Sequence, residues 1–189
     1  LGRAYIAANP TQGRSLVGYG GNLPEYISTQ LDHHKMPWLA DFARLDRAWL
    51  VAHLAADDDP AAAPTELDEV GLLGAQMTTL PSLQLVMTEW DVGSLWLDVE
   101  ADNLPTADLT LAPGPASMVF WRPHGEVLAR VLSPGSAELL RSLVDGETLA
   151  IACENTLDAE PGIDLPALIA ELFQSGWIGS LQTQEETTS

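Results

Sequence analysis

The sequence predicts an α+β fold, with a helical first half and a small second half built from an antiparallel sheet and three helices. Three observations carry this expectation. Trp38, Phe42, Leu45, Trp49 and Ala52 recur every three or four residues, which is the period of one helix face. The stretch "SMVFWRPHGEVLARVLS" reads as strand, turn and strand. Three amphipathic segments separated by helix-stop signals follow it.

The elements follow in chain order. "LGRAYIAANP" reads as the end of a helix, so the sequence is expected to continue before Leu1. "LVGYGGNLPEYISTQLDH" holds a Gly-rich turn and then a short helix from Leu23 or Pro24 to about Leu31. The helix of the Trp38 stripe spans 37–55, with Pro37 in its first turn, where a missing N–H costs nothing. "ADDDPAAAPTELDEV", with its three successive aspartates and two prolines, reads as a solvated connection, and a short helix follows over 65–76. "SLQLVMTEW" places Leu83, Leu85 and Met87 in period two and predicts a strand; "SLWLDVE" and "DLTL" read as further short strands.

In the hairpin, Gly125 supplies the positive φ that a tight connection needs after Pro123 and His124. Phe120 and Trp121 alternate, so one ring is expected in the core and the other toward solvent or a ligand. Ser133 is the expected N-cap of the first following helix and Gly146 its terminator. "ETLAIACENT" is the second helix. Asp164 caps the third, whose apolar face is Leu165, Leu168, Ile169, Leu172 and Phe173, and Gly176 ends it before an extended piece over 177–181. This order, a hairpin and then three helices, is that of a winged-helix-like peptide-binding module. The domains expected are a helical unit over 1–78, the winged-helix-like unit over 79–181 and a disordered tail over 182–189.

Composition limits what such a chain does. With 46% hydrophobic residues it can bury a core, and 27 acidic against 8 basic residues leave a net charge of -19. Nucleic-acid binders cluster Lys and Arg to displace phosphate counterions, and this chain holds one lysine, Lys35, so nucleic acid and anionic membranes are unfavourable partners. A basic or neutral peptide is compatible. No apolar run approaches the roughly 20 residues of a membrane helix. A lone cysteine, Cys153, excludes an internal disulfide and fits a reduced cytoplasmic setting; its place beside Ile151 and Ala152 in a helix marks it as a buried, inert thiol.

The stretch "HHKMPWLADFARLDRAWLVAH" holds three of the four histidines with two aspartates, the right types for a metal. Its spacing argues otherwise: Asp46 and His53 are seven residues apart, about 10 Å along a helix, and Asp41 and Asp46 point to different sides. His33 and His34 precede the helix. Asp41 and Arg44, at i and i+3, can pair on its surface. No G-x-S-x-G elbow, Walker loop, dinucleotide fingerprint or H-E-x-x-H motif occurs.

The segment "MPWLADFARLDRAWLVAH" resembles the "PYLADxARLExAWxxAxxA" pattern of partner proteins of multinuclear non-haem iron-dependent oxidases, the HvfC/BufC type. "LGRAYIAANPTQGRSLVGYGGNLPEYI" is similar to that family's "ARAYxxxHPxxSPxLxxYGxxFPxFL", with "AANP" in place of the usual His before proline, and Asp46 stands where Glu is commoner. The resemblance implies a non-catalytic subunit, without a cofactor of its own, beside an oxidase that holds the iron and modifies cysteines in a ribosomally made precursor peptide, as for methanobactin-type products. It implies a recognition-element-like second half that receives the precursor. Strand addition to an open sheet edge is the physical route, and the residues expected to meet the peptide are Phe120, Trp121, Arg122, Arg130, Ile169 and Phe173. Trp38, Asp41, Arg44 and Arg47 are expected to dock on the oxidase. The alternative is a DNA-binding transcriptional regulator using the same winged-helix-like half, and an independent metalloenzyme is a third reading.

Overall fold

A computed structural model describes residues 2–10, 18–30, 35–103 and 109–182. The chain is mixed α and β: α1 (Gly2–Ala8), α2 (Leu23–Ser28), α3 (Leu39–Leu54), α4 (Glu69–Gly74), β1 (Gln76–Thr79), β2 (Gln84–Trp90), α5 (Gly93–Glu100), β3 (Pro113–Trp121), β4 (Leu128–Leu132), α6 (Pro134–Val144), α7 (Leu149–Ala159), α8 (Leu165–Gln174) and β5 (Ile178–Gln182). β2, β3 and β4 form an antiparallel sheet in that order, and β1 pairs with β5 in a second, two-stranded one.

The local signals hold where they are strongest. Pro37 precedes α3, Ser133 accepts a hydrogen bond from the Ser136 N–H, and Asp164 accepts one from the Ala167 N–H. Gly125, Gly146 and Gly176 adopt positive φ at the ends expected for them.

β3 organises the interior. Val119 and Trp121 point into a large core with Leu139, Leu140, Leu143, Leu168, Leu172 and Trp177. Met118 and Phe120 point the other way, into a smaller core with Leu45, Ala48, Ala52, Val92 and Trp96. Alternation along a strand sends neighbours to opposite faces, and here both faces are covered by helices. Phe120 and Trp121 are therefore both buried, 0% and 3% exposed, which corrects the expectation that one ring faces outward.

Three other expectations about single elements are revised. "SLWLDVE" lies in helix α5 and is not a strand. Leu95, Leu97 and Val99 fit period two, but burial follows Val92, Leu95 and Trp96 at helical spacing, because the Trp96 ring seats edge-on against Phe120 at 4.9 Å. The described part of "DLTL", from Leu109 on, is irregular; Asp108 lies outside the described residues. The acidic connection is exposed over most of its length, as expected, and is anchored at one point, where Ala61 donates its N–H to the Ile178 carbonyl at 2.7 Å. The helix placed over 65–76 shortens to α4 and yields to β1, whose bonds to β5 come from the far end of the chain. β1, Gln76–Thr79, spans residue 78 and pairs with β5, Ile178–Gln182.

α3 and α5 are joined by Asp46, which accepts the Trp96 indole N–H at 2.8 Å. Desolvation raises the Asp46 carboxyl above its ordinary value, against the lowering effect of that hydrogen bond. An acid raised on folding binds its proton more tightly when folded, so its ionisation costs stability as pH rises from about 3.9 through the folded value. Asp46→Asn, which retains an oxygen for the indole, is expected to remove that cost. Its chemical-denaturation midpoint should exceed the parent's at neutral pH and the difference should shrink below pH 4.

Candidate peptide-binding edge

A sheet edge accepts another strand only where its backbone groups are unspent. Beside β2, at the irregularity between Thr88 and Trp90, the Asp41 carboxylate accepts the N–H groups of Glu89 and Trp90 at 2.8 and 3.0 Å. β5 is bonded by Ala61, and β1 is closed by a bridge from Gln76 to Thr148 and by the Leu149 N–H on the Ala75 carbonyl. β2 and β4 are the two edges of the larger sheet: β3 pairs with one side of each, and no strand among the described residues pairs with the other. What sets β4 apart is that the Asp41 bonds fall at the end of β2, whereas a cleft lies beside β4.

Register assigns the faces of β4. Leu128 and Arg130 lie opposite Trp121 and Val119, and so share the side of the large core; Ala129 and Val131 lie opposite Phe120 and Met118. Leu128 is 44% exposed. Beside it, between β4 and α8, a cleft of about 520 Å³ is lined by Trp121, Leu128, Arg130, Phe173, Pro60 and Ala61 among others. On the other face the Val131 side chain comes so close to Gly93 that an added Cβ there would lie 2.8 Å from Val131 Cγ2.

Arg130 is held from three directions. Its guanidinium lies 5.7 Å from the Trp121 ring centre and 5.4 Å from that of Trp177, and it pairs with Glu171 on α8. The two indoles meet edge to face at 5.8 Å, and Trp121 donates its N–H to the Ser175 carbonyl at 2.7 Å. The rings are thus a fixed platform for the cation.

The residues expected to meet a peptide divide accordingly. Arg130 and Phe173 lie together on the cleft, whereas Phe120 is inside the smaller core and Trp121 contributes only an edge of its buried ring. Ile169 packs partly buried against the large core. Arg122 turns away from the cleft: it donates to the Ala52 and Ala55 carbonyls and pairs with Asp57, which closes the C-terminal end of α3. Leu128 and Glu171, absent from the expectation, belong to the site; only the pairing of β4 with β3 on one side and its closeness to α8 reveal them.

Arg122 is 10% exposed, whereas Asp57 is 89% exposed, so the ion pair adds little and the two carbonyl bonds dominate. Arg122→Met should cost about 1–3 kcal/mol, measured by urea unfolding, while Asp57→Asn should change stability by less than about 0.5 kcal/mol.

The residues expected to dock on an oxidase also separate. Asp41 is 2% exposed and directed at β2, which corrects its place on a polar surface; Arg44, at i+3, does pair with it. Trp38 is half-buried against Phe42, and Arg47 borders a shallow pocket with Val51, Leu54 and Pro81. Asp46 meets Trp96, and His53 stacks flat on Trp49, so Asp41, Asp46 and His53 serve three different partners. His33 and His34 lie outside the described residues. Cys153 is buried, and desolvation raises its thiol. Among the described residues no helix is long and apolar enough to cross a membrane.

No protein-family model matches the chain, and no curated protein is similar to it in sequence.

Proposed function

We propose that this chain is a non-catalytic binding subunit that takes an extended peptide as an added strand on β4 and presents it to a partner enzyme. The observation that carries the reading is the unpaired side of β4 beside a cleft of mixed lining that holds Leu128, Arg130 and Phe173, whereas Asp41 engages the end of β2, Ala61 bonds β5 and Thr148 bridges to β1. Main-chain hydrogen bonds would supply affinity, and the cleft between Leu128 and Phe173 would take alternate side chains. The β3–β4 hairpin followed by α6, α7 and α8 has the element order expected of a winged-helix-like peptide-binding module.

The partner enzyme in this reading is a multinuclear non-haem iron-dependent oxidase, and the peptide is a ribosomally made precursor whose cysteines it modifies. The support is the "PWLADFARLDRAW" resemblance, carried by α3. On α3, Trp38, Arg44 and Arg47 remain the residues for docking on the oxidase once Asp41 is assigned to the interior. The iron belongs to the partner. A net charge of -19 weighs against duplex DNA as the ligand of the same module.

Co-expression with an oxidase and a small cysteine-containing precursor encoded in neighbouring reading frames tests the reading. Co-elution of the three on size exclusion is the expected result. Elution of the chain alone, together with duplex DNA binding at physiological salt, would overturn it.

A further inference from the structure

We infer that Arg130 reads an acidic side chain on the added strand, and that the cleft selects an extended peptide with Asp or Glu two positions from a large apolar residue. The inference rests on strand addition to β4. A strand laid against the open side places side chains directly opposite those of β4, with Cβ atoms about 4.5–5.5 Å apart on the same face. Arg130 and Leu128 are two residues apart on the cleft face, so the peptide residues facing them are also two apart.

The chemistry of each position differs. Leu128 and Phe173 offer apolar surface on the cleft. Arg130 offers a cation already fixed by the faces of Trp121 and Trp177, contacts that consume none of its N–H donors. Among the described residues Glu171 is its carboxylate partner, through one nitrogen, and the two side chains remain 41% and 36% exposed. A guanidinium presents five donors in a planar fork, so a second carboxylate is accommodated on another edge without breaking the first pair. Because the indoles hold the guanidinium in place, little side-chain entropy is lost when the peptide arrives. Glu171 lies on α8, off the strand, so a peptide cation would not face it in the cross-strand register.

The probe is a fluorescein-labelled Thr/Ser host peptide carrying Glu-x-Leu or Leu-x-Glu, with Gln and Lys versions of the Glu position, followed by fluorescence anisotropy. Opposite-charge cross-strand pairs predict that Glu binds about two- to fivefold tighter than Gln, and Lys weaker than Gln. Arg130→Gln should abolish the Glu preference, leaving Glu and Gln guests equal within error, and Arg130→Glu should turn it toward Lys. N-methylation of alternate peptide nitrogens should abolish binding by every version. If binding is sensitive to N-methylation yet indifferent to the guest residue, or if the Glu preference survives Arg130→Gln, the role of Arg130 is refuted and strand addition stands. If no version binds, or N-methylation is without effect, strand addition fails and this inference with it. Should Arg130→Gln fail to fold, the comparison of Glu, Gln and Lys guests on the unaltered chain still decides.

Discussion

Asp41→Ala is expected to destabilise the fold by about 3–5 kcal/mol, as removal of one partner from a buried charged network does. The Asp41 carboxylate is 2% exposed and takes two backbone N–H groups from β2 as well as the guanidinium of Arg44. Alanine leaves those N–H groups without the carboxylate that accepts them, and a donor left unsatisfied in a buried place costs about 1–3 kcal/mol. Asp41→Asn, which keeps one carbonyl oxygen, should lose less, and Arg44→Met least, since Arg44 is 37% exposed. Urea unfolding of the three variants gives the order. A change below about 0.5 kcal/mol for Asp41→Ala would return the residue to the exposed face its helical position implies.

Phe120→Ala is expected to cost about 3–5 kcal/mol, the range for emptying an aromatic site in a core. The ring is fully buried and meets Trp96 edge to face at 87°, an arrangement worth about 0.5–1.5 kcal/mol beyond the area it buries. The loss should appear as a lower thermal midpoint for the whole chain, because Phe120 joins β3 to both α3 and α5. Phe173→Ala supplies the contrast. Phe173 is only partly buried and lines the cleft, so its replacement should weaken peptide binding more than it lowers the midpoint. If Phe120→Ala retained the parent's midpoint and weakened the peptide instead, the original placement of that ring as a peptide contact would be restored.

Much of the secondary structure was legible because its causes are local. α3 was evident from the Trp38-to-Ala52 stripe, the hairpin from Gly125, and α6 and α8 from Ser133 and Asp164, each a hydrogen-bonding or torsional preference of a few neighbouring residues. α5 was misread because "SLWLDVE" satisfies two periods at once, and the choice fell to Trp96 seating on Phe120 twenty-four residues later. β1 was missed because a short strand has no stability apart from its partner, and that partner is β5.

The candidate site shows the same division. Arg130 and Phe173 were placed with the peptide from residue type and element order, and they do share a cleft. Phe120, Arg122 and Asp41 were also assigned to surfaces, because a strand or helix seen alone has an outer side. In the fold those outer sides face other elements, and the charge of Asp41 and the fork of Arg122 satisfy backbone groups 48 and 70 residues away in sequence.

By itself the sequence determined the α+β class, the caps and turns of its best-marked elements and a charge hostile to phosphate backbones, since these follow from local torsions, periodicity and composition. Only the tertiary structure decided that both faces of β3 are interior, that Asp41 and Ala61 engage the strands beside them, and that one side of β4 is left unpaired beside a cleft. The reason is physical: burial and hydrogen-bond satisfaction are properties of pairs of segments, and most of those pairs meet only after the chain has folded.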